Sequence, residues 1–205
     1  LPRHRIEENL PLDALSKLLS LPESEKTDRG FAHTAAEIAQ QPSSWLSTFD
    51  LFRHAQADLS RFLSQAGIAG GTTFNLTVFL IGAGTSDYIG QSLAYLLRRS
   101  WQCAVLAIPS TDLLTHMEQN LIAGGNYLWI SFSRSGESPE GVAVLRRARQ
   151  LYPGIHHIVI SCNADGRMLR ESGGDSNIFG ICLDDAVNDR SLAMTSSFTN
   201  MVVAG

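Results

Sequence analysis

Cysteine is scarce. Cys103, Cys162 and Cys182 are the three in 205 residues, too few and too scattered for a disulfide framework. Each falls in or beside an apolar run that reads as a buried strand, so small core residues in a reducing compartment are expected. No CxxC pair occurs, and the histidines at 4, 33, 54, 116, 156 and 157 show no HExxH spacing, so no metal site is expected. Basic charge is not in excess: a net charge of -4 leaves no footprint for nucleic acid. Small anions stay open as ligands, because a nest of backbone N–H groups holds a phosphate without a basic surface. There is no run of about 20 apolar residues to cross a bilayer. The opening residues carry no basic-plus-apolar secretion signal, and a cytoplasmic location without a membrane partner is expected. The sequence opens at Leu1 rather than Met, as a trimmed or processed chain would. Asn75, Leu76 and Thr77 form a glycosylation triplet that flanks a core strand and reads as coincidence.

What is present is ordinary globular composition, 44% hydrophobic and 18% charged. Residues 1–29 are polar, with Pro2, Pro11, Pro22 and a charged stretch at 23–29, and read as an extension, helical at best over 12–19. A helix is predicted over 34–41, ending before Pro42, and a second from Ser44 to Gly67 on the spacing of Trp45, Phe49, Phe52, Leu59, Phe62 and Leu63. Five short apolar runs follow, at 76–81, 103–108, 127–132, 155–161 and 178–183. Helical patterns lie between them: up to Arg99, over 139–151, short segments at 111–119 (helix or loop) and 168–172, and a last helix from about Leu192. Apolar strands alternating with helices predict an α/β fold, a three-layer α-β-α sandwich with a five-stranded parallel sheet of flavodoxin-like type, preceded by N-terminal helices. Right-handed crossovers place the loops after the strands on one edge, where ligands of such folds sit.

Two of those loops are unusual. The run SRSGES at 133–138 puts Ser133, Ser135 and Ser138 between a buried strand and a helix. Gly136 accepts tight-turn dihedrals and lets a ligand approach the backbone. Ser138 suits an N-cap and Pro139 the first helical position. Open N–H groups and the positive helix end then favour an anion. Arg134 either forks to that anion or points to solvent, and a plain well-capped turn is the competing reading of the whole loop. The loop lacks the GxxxxGK[ST] pattern, which argues against a nucleoside triphosphate. After the first strand, Gly82-Ala83-Gly84-Thr85-Ser86 resembles half of a dinucleotide fingerprint, but Asp87 stands where the third Gly belongs and Gly90 comes three residues late. Gly84, Thr85 and Ser86 read instead as a second polar loop at the same cleft, or as a helix cap. Thr195 and Ser196 in the hydroxyl-rich run 191–199 suggest a further helix start at the ligand edge. Asp184 and Asp185 read as solvated surface, and 163–166 as a turn.

At these residues the sequence resembles the SIS (sugar isomerase) domain family, whose S-x-S-G-x-[ST] signature looks like SRSGES. More narrowly, IGAGTSDYIG, ISFSRSGESPEGV, ISCNADG and DRSLAMTSSFTNM together look like the AgaS-type tagatose-6-phosphate ketose/aldose isomerases or galactosamine-6-phosphate deaminases. The resemblance covers roughly residues 35–205. It implies that Ser133, Arg134, Ser135, Gly136 and Ser138 hold a sugar phosphate, with Gly84, Thr85, Ser86, Thr195 and Ser196 lining the same pocket. Related glucosamine-6-phosphate synthases carry Gln at the place of Arg134 and Lys at that of Ser196, which favours isomerase or deaminase over synthase.

The resemblance implies isomerisation of a 6-phosphosugar through an enediol or enolamine, or release of ammonia from an amino sugar, with no metal or redox cofactor. It places the acid and base residues largely in a second SIS half and a neighbouring subunit, so no catalytic residue is named here. It further implies a first SIS domain over 30–205, with N-terminal helices at 34–67, a second SIS domain lying outside this sequence, and a homodimer. A non-catalytic sugar-phosphate sensor is the alternative function. Such regulators usually carry a helix-turn-helix module ahead of the domain, and residues 1–70 show none clearly. A third reading is a structural half that completes another subunit's site.

Overall fold

The computed structural model of the chain describes residues 13–68 and 75–205. Four helices come first: α1 (Ala14–Leu19), α2 (Glu23–Asp28), α3 (Thr34–Ala39) and α4 (Gln41–Gln65). Then β1 (Leu76–Gly82), α5 (Thr85–Trp101), β2 (Ala104–Pro109), α6 (Ser110–Asn120), β3 (Asn126–Ser133), α7 (Pro139–Leu151), β4 (His156–Ser161), α8 (Arg167–Arg170) and β5 (Ile178–Cys182) alternate, and α9 (Ser196–Ala204) closes the order. The strands form one parallel sheet in the order β2-β1-β3-β4-β5.

The apolar runs were expected to be strands buried on both faces, and the side-chain alternation of each strand feeds two cores. Val78, Leu80, Leu128, Ile130, Ile158 and Ile160 pack with Phe62 of α4, Ile89 and Leu93 of α5, and Met201 of α9. Phe79, Ile81, Tyr127 and Trp129 face the other way, against Leu113 and Met117 of α6 and Val144 and Ala148 of α7. Helices thus cover both faces, and the three-layer expectation holds. Because β1 lies between β2 and β3, the chain reverses its direction of winding after β2. The carboxyl ends of β1 and β3 therefore border the switch-point crevice of such sheets.

Four local expectations change. The charged stretch at 23–29 is not an unstructured extension. It forms α2, starting after Pro22 and carrying Lys26–Glu23 and Arg29–Glu25 pairs one helical turn apart. The helix expected before Pro42 is present as α3, but the next one begins at Gln41 rather than Ser44 and takes Pro42 into its first turn, where a residue needs no N–H bond. Residues 111–119 are helical within α6, with a kink at His116 (φ -130°, ψ 38°). The last helix starts at Ser196 rather than Leu192; side chains elsewhere hold the preceding residues in an irregular course, as described below. Residues 1–12 of the expected extension, and the Gly70-Gly71 pair that reads in the sequence as the break after the second helix, lie outside the described residues.

One buried strand position carries an imidazole. His157 of β4 is 1% exposed and sits edge-on to Trp129, ring centroids 5.5 Å apart. Neither of its ring nitrogens has a hydrogen-bond partner among the described residues. Burial pushes its pKa from 6.5 down to about 4, so the imidazole is neutral in the folded state. The unfolded chain takes up that proton first as pH falls. Stability is therefore expected to drop by about 3 kcal/mol between pH 6.5 and 4 on this account alone. Urea unfolding at pH 7 and pH 4.5 checks this: His157→Phe should lose less stability over that interval than the parent chain.

Candidate phosphate site

The loop after β3 is built by its neighbours. The carbonyl of Arg134 accepts from the N–H of Cys162 at 3.1 Å and from the Ser161 hydroxyl at 3.3 Å. The carbonyl of Ser135 accepts from Nδ2 of Asn163 at 3.0 Å, that of Gly136 from the N–H of Met168 at 3.0 Å, and that of Glu137 from Nη2 of Arg167 at 3.2 Å. Four successive carbonyls are thus turned toward residues 161–168. In a trans peptide the N–H of the following residue points the opposite way, and no cis bond occurs in the described chain. The N–H groups of 135–138 are therefore turned away from 161–168. Two are partly engaged within the loop: Gly136 N–H donates to Ser133 Oγ at 3.1 Å and Glu137 N–H to Ser135 Oγ at 3.2 Å. Both serine hydroxyls act there as acceptors, which leaves each its O–H to donate.

The clamp requires two glycines. Gly136 has φ +62°, and a Cβ on it would lie 3.1 Å from Gly166 Cα and from Ser161 Oγ. A Cβ on Gly166 would lie 2.6 Å from the Ser135 carbonyl oxygen. Glu137 closes the far side. Its carboxylate accepts from the N–H of Arg167 at 2.8 Å and from Arg167 Nε at 2.6 Å, and these bonds hold its pKa below the usual carboxylate range. Ser138 occupies the N-cap position of α7 with Pro139 behind it. Its hydroxyl makes no capping bond, contrary to the expectation, and lies 2.5 Å from where a Cβ of Gly141 would stand.

A strap, residues 188–195, connects this loop to the one after β1. Arg134 neither points to solvent nor folds onto its own loop. Its Nη1 donates to the carbonyl of Ser191 at 3.0 Å. At the other loop, the Ser86 hydroxyl contacts Met194 Sδ at 3.8 Å. Ser86 is buried, whereas Gly84 and Thr85 are exposed at the edge of α5. The strap is shaped by two carboxylates that sequence reasoning missed. Asp189 accepts from the N–H groups of Thr195 and Ser197, both at 2.8 Å, and from the hydroxyls of Ser196 and Ser197, both at 2.5 Å. Glu37 of α3 accepts from the N–H groups of Arg190 and Ser191 and from the Ser191 hydroxyl. Burial acts to raise the Asp189 pKa, but the four bonds outweigh it and hold the group below its ordinary value. A helix from Leu192 would send the N–H groups of Thr195 and Ser197 to the carbonyls of residues 191 and 193; Asp189 takes both instead, so α9 begins at Ser196, where first-turn N–H groups need no backbone acceptor.

The expected site residues separate here. Ser133, Arg134, Ser135, Gly136 and Ser138 form one loop at the end of β3, with Ser86 and Thr85 at the neighbouring strand end. Ser196 does not join them. It is 0% exposed, and its hydroxyl lies between Asp189 and Nε2 of Gln40. Thr195 is half-buried at the strap's end. Asp184 and Asp185 are exposed, as expected, and Asp184 caps a short 3-10 turn. Residues 163–166 do form a turn, but one that also grips the 133–138 loop. The hydrogen-bonding capacity of Asn163 was the available signal.

The chain is similar to known proteins in sequence and in fold. Residues 75–205 match the model of the SIS domain. The chain is 35% identical over 200 residues to the D-galactosamine-6-phosphate deaminase AgaS of Shewanella sp. (strain ANA-3), covering 95% of this chain and 50% of that protein. It is 34% identical over 171 residues to the D-galactosamine-6-phosphate deaminase AgaS of Escherichia coli O157:H7, covering 83% and 44%. Among solved structures it is similar to tagatose-6-phosphate ketose/aldose isomerase from Escherichia coli, with a TM-score of 0.77 at 34% identity over 83% of this chain and 45% of that one. The chain spans about half the length of the curated relatives it matches.

Two substitutions test the clamp and the strap. Gly166→Ala drives a methyl into the Ser135 carbonyl and should cost about 1–3 kcal/mol, read as a lowered Tm. Asp189→Ala strands four donors and should cost at least about 2 kcal/mol at pH 7. Because the Asp189 pKa is depressed, its contribution is present above the ordinary carboxylate pKa of 3.8 and fades as pH falls through the folded value. The deficit of Asp189→Ala in thermal melts should therefore be largest at neutral pH and shrink in strong acid.

Proposed function

The chain belongs to the SIS domain family, and from that premise we propose that it is the phosphosugar-binding SIS domain of a ketose/aldose isomerase or amino-sugar-6-phosphate deaminase, of the galactosamine-6-phosphate/tagatose-6-phosphate type. The observation that carries this reading is the orientation of the 133–138 loop. Its carbonyls are engaged by residues 161–168, so its N–H edge, its serine O–H groups and the first turn of α7 are left for an anion. A phosphate monoester supplies three acceptor oxygens for such donors. In this reading Ser133, Ser135, Gly136 and Ser138 bind the phosphate. Arg134 adds charge at the rim, Thr85 and Ser86 line the sugar side with Gly84, and Thr195 borders the same cleft. Ser196 supports the strap from the interior.

The grip supplies position rather than chemistry. With the phosphate fixed, the open-chain sugar extends from the strand ends with its carbons 1 and 2 at a set distance. Isomerisation then needs a base to take the proton from carbon 2 and return it to carbon 1. With an amino sugar, hydrolysis of the resulting imine releases ammonia. The reading extends to a homodimer, supported by the large apolar side chains left exposed on α4 and α5: Leu46, Phe49, Tyr95 and Leu96. It also extends to a cytoplasmic location. The buried Cys162 thiol, pushed up to about 12, suits a reducing setting but does not require one. Among the described residues, no helix is long and apolar enough to cross a membrane.

Calorimetry with galactosamine-6-phosphate, tagatose-6-phosphate and their phosphate-free forms tests the reading. Binding should require the phosphate, and Ser135→Ala should weaken it by about fivefold or more, the loss of one hydrogen bond to a charged group. Equal binding of the phosphate-free sugars would refute it.

A further inference from the structure

Glu37 lies on α3, outside the stretch matched by the family model, and is 7% exposed. One carboxylate oxygen, Oε1, accepts from the N–H of Arg190 at 2.6 Å and of Ser191 at 3.1 Å; Oε2 accepts from the Ser191 hydroxyl. All three donors are neutral groups of the strap. A buried carboxylate needs such donors in place of the water it has lost, and in return it fixes the groups that donate. Ser191 is thus pinned at its N–H and at its side chain. Its remaining polar group, the carbonyl, is the one that receives Nη1 of Arg134. Arg134 in turn stands between Ser133 and Ser135 in the phosphate loop.

We propose that Glu37 is a positioning residue for the phosphosugar site: through Ser191 it aims the Arg134 guanidinium across the phosphate loop. The proposal rests on the reading of residues 133–138 as the phosphate loop. A guanidinium carries five N–H donors in a rigid fork. Ser191 engages one and so sets the plane of the others, which remain for phosphate oxygens. A neutral carbonyl orients the fork without cancelling its charge, as a carboxylate in that place would. Removing Glu37 leaves the strap N–H groups without their acceptor and the Ser191 carbonyl unfixed. The long Arg134 side chain then recovers rotamers that binding must freeze again. Glu37 therefore strengthens anion binding without touching the ligand, and only while Arg134 is present.

That last condition gives the test. Affinity for galactosamine-6-phosphate is measured by calorimetry in the full chain for the parent, Glu37→Gln, Arg134→Ala and the double variant, with thermal melts alongside to confirm folding. Arg134→Ala is expected to weaken binding about tenfold or more, the loss of charged hydrogen bonds. Glu37→Gln alone is expected to weaken it about three- to tenfold. The double variant should bind no more weakly than Arg134→Ala. An equal loss from Glu37→Gln in both backgrounds marks a merely structural residue and overturns the proposal. Undiminished binding by Arg134→Ala overturns it as well. If Glu37→Gln does not fold, Ser191→Ala, which removes the hydroxyl bond alone, takes its place in the cycle with the same two outcomes. A parent chain that binds no phosphosugar refutes the phosphate-loop reading, and the proposal falls with it. Parent binding together with additive losses refutes the positioning role alone.

Discussion

A peptide unit carries its carbonyl and its N–H on opposite sides, and the loop after β3 depends on that constraint. A strand-to-helix turn left to itself would scatter its polar groups. Here the turn after β4 collects the carbonyls of residues 134–137 on one side, through one asparagine amide, two backbone N–H groups, an arginine and a serine hydroxyl. The donor edge is then defined without any residue being directed at it. The close approach needed for this explains Gly136 and Gly166 together: each occupies the space that a side chain on the other would need. Recognition and packing are thus one arrangement seen from two sides.

The second support is the strap at 188–195. It has no regular structure, yet it is not loose, because Asp189 and Glu37 accept eight hydrogen bonds from it and from the start of α9. These acids do by side chain what a helix would do by backbone. They hold an irregular segment where it can reach both strand-end loops, through Arg134 on one side and Met194 on the other. Between its anchors the strap leaves Leu192 almost wholly exposed, at 99%.

Much of this was legible in the sequence, for identifiable reasons. Five apolar runs separated by helical patterns leave little choice but a covered parallel sheet, and SRSGES with Pro139 marks a helix start at a strand end. The errors have equally local causes. The start of α4 reads three residues late, at Ser44 rather than Gln41, because a sequence does not say whether a proline closes one helix or opens the next. Ser196 reads as a ligand residue because hydroxyls in a run look alike until burial separates them. Leu192 reads as helical because apolar spacing continues through it, while the two carboxylates that draw the backbone away are distant in sequence or of unremarkable type. Glu37 lies more than 150 residues before Ser191, a pairing that no local pattern encodes.

The N-terminal helices bear on how this molecule can be divided. Gln40 bonds Ala186 and Ser196, Trp45 bonds Thr199, and Thr48 with Ser44 brackets Asn200. Every one of these ties joins α3 or α4, or the junction between them, to α9 and the turns before it. A piece cut to begin at the first strand would keep the whole sheet and the whole 133–138 loop. It would nevertheless expose the inner flank of α9 and leave Asn200, which is fully buried here, facing water. The smallest stable portion of this chain is therefore larger than its most recognisable portion, and modular swaps at the strand boundary would transplant a binding loop without the scaffold that holds its rim.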